Sequence, residues 1–282
     1  MSLNSYYHKE YNYLISPLPK VRHPKFSVIT VVFNGAKVLE DTIKSVISQG
    51  YKDLEYIIID GGSSDSTSVI IDKYRQYITC CISEKDSGIA DAMNKGIAHS
   101  SGELLNFLNA GDSYIDSSVL TDIAAWFDSE RWWWGYGLAK FLLGFSETEY
   151  KQSYRKFSRF KNFYLTQGCH QAVFYRRELF DAVGFYRTDN DRVFDRDFWF
   201  RASKYSSPSQ IDKYLVWYDL TGVSTGVHWS IVCDWVKLSW QHSQYRLLSP
   251  LWISLIVFRY FKSLAGVIFK KILAFKATSL TL

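Results

Sequence analysis

Residues 26–65 read FSVITVVFNGAKVLEDTIKSVISQGYKDLEYIIIDGGSSD, and the fold follows from this stretch. Phe26–Phe33 is a continuous β-branched and aromatic run, the pattern of a strand buried on both faces. Asn34-Gly35 breaks it. Leu39, Ile43, Val46 and Ile47 then recur at i, i+4, i+7 and i+8, which lays one apolar face along a helix. Glu55–Ile59 is a second apolar strand ending at Asp60. Gly61-Gly62-Ser63-Ser64-Asp65 supplies a turn and helix-capping side chains, with Asp65 the expected cap.

The alternation continues outward. Ile70, Tyr74, Tyr77 and Ile78 repeat the helical spacing, Thr79–Ser83 reads as a short strand, and Gly88–His99 reads as a helix with Ala90, Met93 and Ile97 inward. Glu103–Leu108 is a fourth strand, ending in Asn109-Ala110-Gly111-Asp112. Strands and helices joined by short connections predict βαβ units and a parallel sheet. Such sheets bind ligands beyond the carboxyl ends of their strands. Asp60 and Asp112 both stand there, which points to a site; capping and turn-making are the competing roles. Residues 126–230 are less regular and contain Trp132-Trp133-Trp134, a basic stretch from Lys151 to Lys161, Cys169-His170-Gln171 and Asp195-Arg196-Asp197.

With 282 residues the chain has room for one large domain or two small ones, at roughly 150 residues each. Its 47% hydrophobic and 22% charged residues set aside disorder. The outlier is 17% aromatic residues, a surplus that points to sugar stacking, interfaces or a membrane-facing surface. Cys80, Cys81, Cys169 and Cys233 have neither a disulfide framework nor metal-ligand spacing, and free thiols in a reducing compartment are expected. Residues 1–20 contain no apolar run of signal-peptide type, so a cytosol-facing protein is expected.

Charge is distributed unevenly. No acidic residue follows Asp234, yet seven of the 33 basic residues do; the other 26 face 28 acids. A nearly neutral body thus carries a basic tail, and an anionic surface is the expected partner. Leu251–Phe258 is apolar, but Arg259 and Lys262 interrupt it before the roughly 20 residues a spanning helix needs. Each charge would cost about 3 kcal/mol at the centre of a bilayer. An amphipathic helix lying in the interface, with Trp252 and the phenylalanines down, avoids that cost. Plain packing against the body and a true span are the competing readings. Nucleic acid is disfavoured as a partner, because the charge sits among apolar residues.

Taken in order, Phe33-Asn34, Ile59-Asp60-Gly61-Gly62-Ser63-Ser64-Asp65, Glu84-Lys85-Asp86-Ser87-Gly88-Ile89, Ala92-Met93-Asn94-Lys95-Gly96 and Leu108-Asn109-Ala110-Gly111-Asp112 resemble the family 2 glycosyltransferases. Within them the likeness is to the bacterial branch that builds exopolysaccharide, O-antigen and colanic acid. Each motif alone is weak, but five in order at family-like spacing are specific, and the resemblance covers about residues 26–225. The resemblance implies an α/β chain of GT-A (nucleotide-diphospho-sugar transferase) fold, with a mostly parallel central sheet and flanking helices, plus C-terminal basic amphipathic helices. The implied organisation is an arm at 1–25, a nucleotide-sugar-binding half at 26–125, an acceptor-binding half of the same domain at 126–230, and a membrane-associating tail at 231–282.

The resemblance also implies roles. Val31, Phe33 and Asp60 would hold the nucleoside, with Asp86, Asn109, Gly111 and Asp112 close to the nucleotide-sugar. Asn94, on the helix behind them, has a structural role as its alternative. Asp112 matches the last acid of the family's Asp-x-Asp motif and would hold Mn2+ or Mg2+, which screens the leaving diphosphate. Here the chain departs from the pattern, since Gly111 stands where many relatives have a second acid. Asp195, with Asp197 as second candidate, would take the proton from an acceptor hydroxyl; an ion pair with Arg192, Arg196 or Arg201 is the alternative for either. His170 and Gln171 would face acceptor or diphosphate, with a satisfied core histidine as the alternative. Gly222-Val223-Ser224 matches a family segment, and His228 would close over metal or phosphates. The implied activity is inverting transfer of a sugar from a nucleotide-sugar, UDP-sugar favoured, to a glycan or lipid-linked acceptor in bacterial surface polysaccharide synthesis. The implied location is cytoplasmic, peripheral on the inner face of the cell membrane.

Rival readings are a catalytically degenerate membrane scaffold and a nucleotidyltransferase. An NAD-dependent enzyme is disfavoured because Asn34-Gly35-Ala36 replaces the G-x-G-x-x-G turn, and no P-loop motif is present.

Overall fold

Phe26–Val32 forms β1, and all seven of its residues are buried. Alternate side chains serve opposite faces of the sheet: Phe26, Val28 and Val32 join one apolar cluster, Ile29 and Val31 the other. A strand so placed lies at the centre of a layered α/β structure. The computed structural model describes residues 23–143, 146–147, 169–189, 192–219, 229–242 and 254. The arm before His23, the basic stretch Lys151–Lys161, Gly222–Ser224, His228 and the tail beyond His242, Ser254 aside, lie outside the described residues.

The first half follows the expected order. β1 is followed by α1 (Leu39–Ile47), β2 (Leu54–Asp60), α2 (Thr67–Lys73), β3 (Cys80–Ser83), α3 (Ile89–Ala98) and β4 (Leu104–Phe107). β1 pairs in parallel with β2 and β4, and β2 in parallel with β3. The second expected helix is shorter than its apolar spacing implies: it ends at Lys73, and Arg75–Tyr77 turns as a separate 3-10 segment.

The irregular half supplies β5 (Ser113–Tyr114), α4 (Val119–Glu130), β6 (Trp134–Leu143), β7 (Ser146–Glu147), β8 (Val173–Arg176), α5 (Arg177–Val183), α6 (Phe194–Tyr205), β9 (Ser209–Asp219) and α7 (Trp229–His242). β8 runs antiparallel to β4 and β6, while β6 and β9 are parallel. The described strands form one nine-stranded sheet in the order β3-β2-β1-β4-β8-β6-β9-β5, with β7 beside β6. The sheet crosses position 125 without interruption. Helices α1, α2 and α4 cover one face, and α3, α5 and α6 the other.

β2, β1 and β4 share a rim at their carboxyl ends, marked by Asp60, Phe33 and Asn109–Asp112. A buried acid at the opposite edge shows the contrast. Glu55, near the start of β2, accepts hydrogen bonds from Ser27, Ser101 and Lys25 and ties the sheet's lower edge together. All four cysteines are free, as expected. No described helix is long and apolar enough to cross a membrane.

Phe107 in β4 is fully buried against Tyr175, Phe180, Tyr186 and His170, whereas Phe33 at the end of β1 is 65% exposed. Phe107→Ala is expected to cost about 3–5 kcal/mol in denaturant unfolding, and Phe33→Ala no more than about 0.5 kcal/mol. Similar costs would contradict a rim-exposed Phe33.

Candidate active site

The rim begins with a loop fixed by its neighbour. After β1 the chain passes through Asn34, whose φ of 50° is rare for a side-chain-bearing residue. The Asn34 N–H donates to Ser63 Oγ, and Asn34 Oδ1 accepts from the Ser64 N–H. The Gly35 N–H donates to Thr67 Oγ1, and the Ala36 N–H to Asp65 Oδ2. Asp65 also accepts from the Thr67 N–H and so closes the turn just ahead of α2, whose N-cap position is Ser66. Two loops that are separate in sequence are thus zipped into one wall.

Asp60 organises that wall from beneath. It is 1% exposed; Oδ1 accepts from the Ser63 N–H and hydroxyl, and Oδ2 from the Ser83 hydroxyl. Asp86 lies above it, accepting from the Gly88 N–H. A Cβ on Gly61 would come within 2.5 Å of Asp86 Oδ2 and 3.5 Å of the Phe33 ring, so only glycine lets the three meet. The exposed Phe33 ring, the buried Gly61 backbone and the half-buried Asp86 carboxylate form one edge of the site. Val31 contributes differently: its side chain is in the core, and its carbonyl accepts from the Ala110 N–H, anchoring the Asn109–Asp112 turn. Asn94 holds the backbone of Tyr186 with two hydrogen bonds, the structural alternative of the sequence reading.

The Asn109–Asp112 turn is held to α1 by Thr42, which accepts from the Gly111 N–H and donates to the Asp112 carbonyl. The Ser113–Trp217 pairing of β5 with β9 places Gly111 across from Asp219. A Cβ on Gly111 would lie 3.7 Å from Asp219 Oδ2. The carboxylate missing from position 111 is therefore matched by one arriving from the end of β9. Asp112 is 5% exposed. Burial, reinforced by the charge of Asp219, pushes its carboxyl up to about 7, against hydrogen bonds from the Asp219 N–H and the Gln171 side chain. Among the described residues, Asn109 Oδ1 is buried without a hydrogen-bond partner.

Among the described residues no cluster of three or more His, Cys, Asp or Glu side chains forms. Two adjacent carboxylates, together with an amide oxygen on the same turn that lacks a donor, nevertheless fit a hard divalent cation, which takes oxygen ligands and completes its shell with phosphate and water.

The other side of the site is the turn Cys169–Ala172. Buried Asn106 fixes it, donating to the Gln171 and Val173 carbonyls and accepting from the Tyr114 hydroxyl. Gln171 Oε1 accepts from the Cys169 thiol, while its side chain also bonds Asp112. Burial pushes the Cys169 thiol far up, and the charges of both Asp112 and Asp195 push it further. Asp112 bonds the turn's Gln171, and Phe194, next to Asp195, packs on its His170 at 5.7 Å, so two acids 83 positions apart in the chain converge on this turn. Asp195 is half-buried in the first turn of α6, where it accepts from the Arg196 N–H.

Two candidates have other roles here. His170 is 7% exposed, shares a hydrogen bond with the Tyr186 hydroxyl at 3.0 Å, and is enclosed by Phe107, Tyr175, Phe194 and Trp199. It is a satisfied core histidine. Asp197 is 3% exposed and accepts from Arg187, Arg201 and His242. Burial alone would raise its carboxyl, but the His242 hydrogen bond and the arginine charges outweigh this and hold it below the usual range. A carboxylate so engaged is a weak proton acceptor, and Arg201 is the ion-pair partner foreseen for one of the two acids.

Asp219 and Asn106 escaped the sequence reading. Asp219 carries the signal that marked Asp60, an acid closing a strand of apolar and aromatic residues, inside a region read as irregular.

Burial drives the His170 imidazole down to about 4, with the Asp195 charge opposing. The unfolded chain therefore takes up this proton first, near pH 6.5, and stability present above that pH drains away as pH falls toward 4. This group's share is roughly 3 kcal/mol. His170→Gln is expected to lose about that much less than the native chain between pH 6.5 and 4 in denaturant titrations. Parallel pH profiles would contradict the buried, neutral imidazole.

Known proteins resemble this chain in sequence and in fold. A family model described as Glycosyl transferase family 2 matches residues 27–184. An uncharacterized glycosyltransferase of Mycobacterium tuberculosis is 34% identical over 208 residues, 72% of this chain and 78% of its own. A PGL/p-HBAD biosynthesis glycosyltransferase of Mycobacterium bovis is 30% identical over 212 residues, 68% of this chain and 74% of its own. Among solved structures, S. aureus TarS 1-349 in complex with UDP-GlcNAc superposes with a TM-score of 0.63 at 17% identity, covering 84% of this chain and 73% of that one. The mannosyltransferase PcManGT from Pyrobaculum calidifontis, in complex with GDP-Man and Mn2+, gives a TM-score of 0.59 at 14% identity, covering 93% and 81%. The first-half motifs, the acids on the sheet's rim and these matches lead to one conclusion: the chain belongs to glycosyltransferase family 2 and has the GT-A fold.

Proposed function

We propose that the protein is an inverting, metal-dependent transferase moving a sugar from a nucleotide-sugar, UDP-sugar favoured, to a hydroxyl of a glycan or lipid-linked acceptor in bacterial surface polysaccharide synthesis. The observation that carries this is the convergence of Asp112, paired with Asp219, and Asp195 on the Cys169–Ala172 turn, at the sheet rim that also bears the Phe33–Asp86 edge. Binding of UDP-GlcNAc by TarS, and of GDP-Man with Mn2+ by PcManGT, supports a nucleotide-sugar as donor.

Phe33 offers its ring face to a base, and Asp86 accepts hydrogen bonds from base or ribose. Asp112, Asp219 and Asn109 would hold the divalent cation, which when bound screens the charge developing on the leaving diphosphate. Asp195 takes the proton of the acceptor hydroxyl as its oxygen attacks the anomeric carbon from the side opposite the diphosphate. The bond from that carbon to the diphosphate oxygen breaks with its electron pair leaving on the phosphate. One base and no enzyme nucleophile in this scheme mean a single displacement, hence inversion. Asp60 supports the site through the wall that it holds together.

The test is nucleoside diphosphate release across UDP-, GDP- and dTDP-hexoses with Mn2+, alongside thermal shifts by the same donors. Asp195→Asn is expected to lower kcat about 100- to 10,000-fold while keeping the donor's thermal shift. Asp112→Asn is expected to lose the Mn2+-dependent part of that shift. A native chain and Asp195→Asn that are equally inactive, with donor still bound, would favour the scaffold reading. Shifts independent of Mn2+ in both proteins would remove the metal.

We also assign the basic, apolar stretch beyond residue 245 to the anionic inner face of the cell membrane, where a lipid-linked acceptor would lie. Its composition supports this. Deleting residues 245–282 is expected to abolish co-sedimentation with vesicles containing anionic lipid, and undiminished binding would contradict it.

A further inference from the structure

The last described helix makes contacts that the transfer reaction does not explain. On α7 the residues Asp234, Leu238 and His242 recur at i, i+4 and i+8, one stripe along the helix. Lys237, Trp240 and Gln241 are exposed. The stripe meets one short segment at three successive turns. Asp234 pairs with Arg192 at 3.8 Å. Leu238 is buried in a cluster with Val193 and Phe200. His242 Nε2 donates to Asp197 Oδ1 at 2.8 Å, and its ring stacks on Phe200 at 5.3 Å and 28°. Residues 192, 193, 197 and 200 bracket Asp195.

Asp197 carries the contact onward. Its Oδ2 accepts from Arg201 Nε at 2.8 Å, and Arg201 donates to the carbonyls of Val183, Gly184 and Phe185 at the end of α5. The first turn of α6 is therefore held from two sides, by the α5 terminus through Arg201 and by α7 through His242.

We propose that α7 is a splint that positions Asp195, with His242 as its positioning residue acting through Asp197. This rests on Asp195 being the base. Asp195 stands on the terminal turn of a helix, where backbone freedom is greatest. A base displaced by an ångström from the acceptor hydroxyl loses much of its effect. The stripe fixes the turn on both sides of Asp195 without touching substrate.

The experiment uses the full chain and measures nucleoside diphosphate release from the UDP-, GDP- and dTDP-hexose panel with Mn2+, together with hydrogen exchange over residues 192–205. His242→Ala is expected to lower kcat about tenfold, leave the donor KM unchanged, and raise exchange at residues 194–199 while β1 and β2 stay protected. His242→Gln, which keeps an N–H donor near the place of Nε2, is expected to restore most of both. A kcat in His242→Ala equal to that of the native chain, or a loss that His242→Gln does not relieve, overturns the splint. Exchange needs no turnover, so unchanged exchange at 194–199 in His242→Ala overturns it independently. Asp195→Asn separates the two ideas: full activity there removes the base assignment and the splint with it, whereas an inactive Asp195→Asn beside a fully active His242→Ala removes the splint alone.

Discussion

Asp112 is kept out of water beside a second carboxylate, and much of the rim is arranged around that electrostatically unfavourable placement. A buried carboxylate normally has a cation or several donors. Asp112 has two donors, the Asp219 N–H and the Gln171 side chain, and faces the like charge of Asp219. The parts that hold it there are spread through the chain: Thr42 on α1, the β5–β9 pairing, and the turn that Asn106 fixes from β4. A group that gains by receiving positive charge, held this firmly, is what a divalent cation and a diphosphate need.

The acids divide by their partners rather than by burial alone. Asp60 and Asp112 are both nearly inaccessible, yet Asp60 takes three hydrogen bonds from serines and builds a loop. Asp195 and Asp197 sit two positions apart on α6. Asp197 is drawn inward by Arg187, Arg201 and His242 and serves as a structural hub. Asp195 accepts from the adjacent Arg196 N–H and lies half-buried beside the Cys169–Ala172 turn. One helix thus leaves one acid half-buried beside that turn and uses the other to hold itself in place.

The first half of the molecule was legible because its information is local. β1 to β4 and their helices lie within a few residues of their periodicities, and the strand ends announced Asp60 and Asp112. Phe33 closes the β1 run, and its exposure places it on the rim. The second half was not legible, because what organises it is distant. Nothing near Asp219 says that β9 will pair with a two-residue strand more than 100 positions earlier. Nothing near His170 says that five aromatic rings, from β4, β8, α6 and the loop between α5 and α6, will enclose it. The spacing of Asp234, Leu238 and His242 was present in the sequence, but a helical stripe does not name the surface it meets.

In the function we propose, Asp112 and Asp219 form the cation-binding floor of the nucleotide-sugar site, with Phe33 over the base. A crystal structure of the full chain grown with Mn2+ and UDP tests it most directly. An anomalous manganese peak is expected within about 2.5 Å of a carboxylate oxygen of Asp112 or Asp219, with the diphosphate next to it and the uracil against Phe33. Manganese and diphosphate bound together at a place remote from both carboxylates would contradict it.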